Sequence, residues 1–146
     1  MKKLFYLLTF TTISLVFGQQ KATPLQVTLL EKSKAPLSTP THTHTYSILN
    51  STDKDIEYSV VTQQGNCNKN TSKVSINLHS DKNASVSKIV IKANTRQTFT
   101  VKTQRNYQTK LGTWSCIEIF AVDQYGTPVS NTAELSQLIP DPNNFQ

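Results

Sequence analysis

Thr113-Trp114-Ser115-Cys116-Ile117-Glu118-Ile119-Phe120-Ala121-Val122 is the most apolar run beyond residue 18. It is rich in β-branched and aromatic residues, which pack well on a pleated surface. Gly112 precedes it and Asp123-Gln124-Tyr125-Gly126 follows, so turn chemistry bounds it on both sides. A run of this length and composition reads as a central strand buried on much of both faces. Whatever fold the chain adopts has to be built around a sheet.

Upstream of that run, the spacing predicts further strands. Thr98-Phe99-Thr100-Val101-Lys102 alternates with Phe99 and Val101 inward, and Val86, Ile89, Val90 and Ile91 make a short apolar strand before it. Val74, Ile76 and Leu78 alternate, as do Ile56, Tyr58 and Val60. Thr41-His42-Thr43-His44-Thr45-Tyr46-Ser47-Ile48 is a threonine-rich alternating run, joined to the Ile56 run by the turn cluster Asn50-Ser51-Thr52-Asp53-Lys54. The two runs are expected to be antiparallel neighbours. Leu25, Val27 and Leu29 give a possible first strand, and Pro128 to Ser130 starts a short last one at an edge. No helix-period pattern of useful length occurs. The expectation is therefore all-β: an antiparallel β-sandwich of about seven or eight strands, with Trp114, Phe99 and Phe120 in its core.

Lys2 and Lys3 followed by the largely apolar run Leu4 to Phe17 read as a secretory signal peptide. Val16 and Gly18 place small residues before Gln19, so cleavage is expected between Gly18 and Gln19. Thr9, Thr11, Thr12 and Ser14 interrupt the run, which disfavours a retained anchor, and no later run is long enough to span a membrane. The expected layout is a signal at 1–18, a lead-in at 19–40, a sandwich domain at 41–131 and a tail at 132–146. The chain carries 15 basic and 9 acidic residues. Its lysines are scattered rather than striped, so nucleic acid is not an expected partner.

The segments from Pro24 to Ser130 resemble immunoglobulin-like and fibronectin type III-like sandwiches of secreted bacterial proteins. The resemblance rests on the expected hairpin of Tyr46-Ser47-Ile48-Leu49-Asn50 with Ile56-Glu57-Tyr58-Ser59-Val60, and on the turn, strand, loop, strand order from Ala93 to Val122. It implies a sandwich and carries no activity with it. Trp114 stands two residues before Cys116, where antibody-type domains have a tyrosine.

Candidate chemistry is sparse. Cys67 and Cys116, an even pair in an exported chain, are expected to form a structural disulfide. His42 and His44, two apart on a strand, would point to one face about 7 Å apart and begin a metal site. Only His79 and scattered carboxylates remain to complete it, and the simpler reading is two polar side chains on an exposed strand. Tyr107 and Tyr125 fall in predicted loops, where a ring can stack on a sugar or anchor a partner. Asp53, Asp55 and Glu57 cluster at a predicted turn and read as solvated. Asn50, Asn70 and Asn83 begin N-x-S/T sequences in predicted loops, meaningful only in a eukaryotic secretory pathway. No nucleophile, phosphate loop or cofactor motif appears.

The expected function is an exported, non-enzymatic β-sandwich, secreted or periplasmic, that binds or supports a surface polysaccharide or an envelope protein. No cofactor is expected, and oligomeric state is left open. The alternatives are a secreted enzyme or enzyme inhibitor with a loop-built site, or a metal-handling protein using His42 and His44.

Overall fold

The computed structural model describes residues 23–67, 70–80, 88–141 and 143. The expected signal peptide and its cleavage site, Val86 and the Asn83 sequence lie outside these residues. Eight strands occur: β1 (Leu25–Glu31), β2 (Thr41–Asn50), β3 (Ile56–Gln64), β4 (Ser75–Ser80), β5 (Ile89–Ile91), β6 (Arg96–Gln104), β7 (Thr113–Val122) and β8 (Ala133–Ile139). They form two four-stranded antiparallel sheets, ordered β1-β2-β6-β4 and β5-β3-β7-β8. Among the described residues no helix is long and apolar enough to cross a membrane.

With β5 set aside, the seven remaining strands in chain order are arranged as ABED on one sheet and CFG on the other, the constant-type immunoglobulin topology. The core is the inner face of both sheets. Leu25, Val27, Tyr46, Ile48, Phe99 and Val101 come from the first, and Tyr58, Val60, Ile117, Ile119, Ala121 and Leu135 from the second. Tyr46 stacks on its cross-strand partner Phe99 with ring centroids 5.7 Å apart, within the range in which aromatic pairs attract.

The structure corrects several expectations. β2 and β3 are not neighbours: β2 pairs with β1 and β6, and β3 with β5 and β7. The Asn50 turn carries the chain from one sheet to the other, so the two runs face each other across the core. Alternation cannot separate these cases, because an amphipathic strand buries the same face in either arrangement. The expected tail from 132 holds β8, which pairs with β7 from Thr113↔Ile139 to Ile119↔Ala133 and buries Leu135 and Ile139. Together with β1 it carries the sandwich beyond the expected 41–131. Pro128 and Ser130 make only isolated bridges, to Val122 and Leu25. Phe99 is core, but Trp114 and Phe120 lie half-buried on the outer face of the second sheet, one residue out of phase with Ile117 and Ile119.

Candidate functional site

His42 and His44 are not on an exposed face. They are 5% and 3% exposed, on the inner side of β2 opposite Thr103 and Val101, with ring centroids 6.4 Å apart. Apolar Tyr46 and Ile48 continue the same face, and that phase carries the histidines inward. The backbone N–H of Ser33 donates to His44 Nδ1 at 3.2 Å. A nitrogen that accepts carries no proton, so the neutral ring bears its hydrogen on Nε2 and presents a donor there instead of a ligand lone pair. Among the described residues no group of three His, Cys, Asp or Glu is gathered that could hold a metal ion. His44 is thus set up as a packed, neutral donor rather than as a metal ligand.

Burial lowers the pKa of His44, and His42 and Lys32 add to that, while Gln137 opposes it. Nε2 has no hydrogen bond of normal geometry, and neither does the hydroxyl of Tyr46. Burial also pushes the Tyr46 phenol well above its usual range. Beside this end of the core, His42, Thr103, Ser115 and Gln137 border a cavity of about 10 Å³. That is about the size of one water molecule.

Tyr107 and Tyr125 are 94% and 83% exposed. They sit in the connections at opposite ends of β7, a strand of ten residues, hence roughly 30 Å apart. They cannot flank one sugar ring. Tyr107 projects from the β6–β7 loop into solvent.

Tyr125 stands at the lip of an open cleft of about 360 Å³ lined by Glu57, Tyr58, Ser59, Lys88, Asp123, Gln124 and Tyr125, in the size range of small-ligand sites. The turn that carries it is rigid. Asp123 Oδ1 accepts from the N–H of Tyr125 at 2.9 Å and of Thr127 at 2.8 Å, and Gly126 takes the positive φ of 80° that closes the turn. On the other wall, Ser59 Oγ accepts from Lys88 N–H at 3.1 Å, and Lys88 itself adopts a left-handed φ of 57°. Glu57 faces outward from β3 into this cleft. It is separated from Asp55, whose Oδ1 accepts from the N–H of Ala93 at 2.8 Å and ties two turns together. One aromatic platform, two carboxylates, an ammonium and a hydroxyl therefore converge. Sequence reading singled out Tyr125 but missed Lys88 and Asp123 and did not join Glu57 to them, because three separate segments supply the cleft.

Cys67 and Cys116 form a disulfide with a Cα–Cα distance of 5.9 Å. It ties the loop that follows β3 to β7 on the outer side of the second sheet, where antibody domains instead bridge the two sheets. The hydroxyl of Ser136 stands 3.7 Å from Cys67 Sγ.

No family model matches the chain, and no curated protein does. Several solved structures are similar to it, three of which follow. A FixG-related protein from Vibrio parahaemolyticus aligns at 12% identity over 81% of this chain and 97% of its own, with a TM-score of 0.52. A conjugative transposon lipoprotein from Bacteroides eggerthii aligns at 12% identity over 78% of this chain and 96% of its own, with a TM-score of 0.47. A conjugate transposon protein from Bacteroides vulgatus aligns at 14% identity over 87% and 93%, with a TM-score of 0.44. At these identities the first likeness bears on the fold alone.

Proposed function

We propose that this protein is an exported, non-enzymatic binding module, secreted or periplasmic, whose Tyr125 cleft takes a sugar unit of a surface polysaccharide. The observation that carries the reading is an aromatic ring, almost wholly exposed yet held on a hydrogen-bonded turn, beside a cleft of about 360 Å³ with polar groups on both walls. Sugars offer an apolar ring face to stack on and hydroxyls that both donate and accept. Glu57 and Asp123 supply acceptors, Lys88 a donor and Ser59 either. The signal-like N-terminus and the disulfide support an oxidising, extracytoplasmic address.

The test is depletion of the purified protein by a panel of insoluble polysaccharides. Saturable binding to one of them should weaken at least about tenfold in Tyr125→Ala, a loss of about 1.4 kcal/mol, while Tyr107→Ala at the far end binds like the parent. Dependence on Tyr107 instead, or retention on every matrix unchanged by Tyr125→Ala, would sink the cleft. Turnover of the bound polysaccharide, lost in Glu57→Gln or Asp123→Asn, would make the protein an enzyme.

A further inference from the structure

The two sheets have four edges, and they are not equally guarded. At the β1 edge, the Asn131 side chain accepts from Val27 N–H at 2.8 Å and donates to Val27 C=O at 3.0 Å. Leu25 N–H is taken by Val129 C=O at 3.0 Å, and the register breaks between Leu29 and Glu31. A strand cannot add there. β5 is three residues long, too short to template another strand. β4 is open but carries no charged side chain with which to select a partner.

β8 is different. It pairs with β7 through seven unbroken register positions and, among the described residues, meets no strand on its other side. It contains no Lys, Pro or bulge, the usual protections of an edge. Its backbone phase follows from β7. Gly65 N–H bonds Cys116 C=O and Ser72 N–H bonds Trp114 C=O, both at 2.8 Å, so Trp114 and Cys116 direct their backbone toward the β3 side. Ser115 and Ile117 then face β8, where Gln137 and Leu135 are opposite them. By alternation, Glu134, Ser136 and Leu138 turn their N–H and C=O groups to the open edge. Their side chains share the outer face.

That face is acidic. The strands of the second sheet carry Glu57, Glu118 and Glu134 and no Lys or Arg, in a chain where basic residues outnumber acidic ones 15 to 9. Glu118 and Glu134 are directly opposite each other, an arrangement that like charges disfavour. Gln63 Nε2 donates to Glu118 at 2.6 Å. Four residues along the same ladder, Trp114 and Leu138 are opposite each other and half-exposed. The open edge thus pairs a negative position with an apolar one.

We propose that β8 is a strand-addition site for an extended basic segment of another protein, with Lys or Arg beside Glu134 and an apolar residue beside Leu138. Backbone bonds to Glu134, Ser136 and Leu138 hold the segment, and the cation relieves the Glu118–Glu134 repulsion. Among the described residues, no open edge strand of a second copy supplies such a segment. Its edge strands β1, β4, β5 and β8 contain no Lys or Arg, and β6, which has Arg96 and Lys102, is paired on both sides. The site is independent of the Tyr125 cleft.

The experiment titrates the purified protein with two synthetic peptides of about nine residues, enough to span β8, identical except for Lys in one and Glu in the other at the position beside Glu134, and both with Val four residues away, beside Leu138. Trp114 is the single tryptophan and lies opposite Leu138, so its fluorescence reads the edge. The Lys peptide should give a saturable change, with affinity falling as salt rises and at least about tenfold above that of the Glu peptide. Ser136→Pro, which removes an outward N–H without touching the β7 ladder, should abolish it. Glu134→Lys keeps the strand and should reverse the preference, which decides the matter if the proline variant fails to fold. Equal affinity for both peptides, no saturable change, or affinity unaltered in Glu134→Lys would overturn the proposal. So would self-association of the protein in sedimentation that is lost in Ser136→Pro, since that would assign the edge to a second copy.

Discussion

Asn50 shows how much one side chain carries. It is fully buried at the end of β2, where the chain crosses between sheets. Its Nδ2 donates to the carbonyls of Lys54 at 2.7 Å, Lys92 at 3.2 Å and Ile91 at 3.3 Å, and its Oδ1 accepts from Thr52 N–H at 3.0 Å and Thr52 Oγ1 at 2.7 Å. An amide this enclosed cannot carry a glycan in the folded state, whatever the N-x-S/T pattern suggests. Asn50→Ala strands several of these groups, so it should cost about 2–3 kcal/mol in urea unfolding; a loss below the error of the measurement would mean that water replaces the amide. His44 predicts a pH dependence. Burial holds its folded pKa below the usual value, so its neutral form contributes stability that is full above about pH 6.5 and is lost as pH falls through the folded value. The melting temperature should drop between about pH 7 and pH 5, and His44→Asn, whose amide oxygen can replace Nδ1 as acceptor for Ser33, should flatten the drop. An unchanged slope in that variant would place the sensitivity elsewhere.

At the scale of elements, β8 is the most instructive. Its stretch Ala133-Glu134-Leu135-Ser136-Gln137-Leu138-Ile139 mixes polar and apolar residues with weak alternation, and it runs into a Pro and Asn segment that reads as a tail. Only the presence of β7, with N–H and C=O groups to satisfy on both sides, makes a strand of it. Leu135 is 2% exposed, so Leu135→Ala should cost about 2–5 kcal/mol by chemical denaturation. A cost no greater than that of an exposed substitution would mean that β8 is not docked as described. The crossing from β2 to β3 carries the same lesson. The alternation of Tyr46 and Ile48, and of Tyr58 and Val60, fixes which side of each strand is buried. It leaves open whether the buried sides lie side by side in one sheet or face to face across two.

For the molecule as a whole, the disulfide acts on the unfolded chain more than on the folded one. Cys67 and Cys116 are 49 positions apart, and closing a loop of that length is worth about 4 kcal/mol in the chain-entropy model. Replacing both with Ser or Ala should lower stability by up to that amount while leaving far-UV circular dichroism unchanged, because the bond ties a loop to one strand of the second sheet rather than joining the two sheets. Loss of the β signal would mean that the core cannot hold the sandwich without it. The sequence by itself determined the all-β class, the approximate strand count, the cysteine pair and Phe99 as core, because period-two alternation and turn residues are local signals. Only the tertiary structure decided the partition of strands between sheets, the outward position of Trp114 and Phe120, the burial of His42 and His44, and the convergence of Glu57, Lys88, Asp123 and Tyr125. Each of those depends on which distant strand satisfies a backbone or covers a face, and local alternation carries no information about partners.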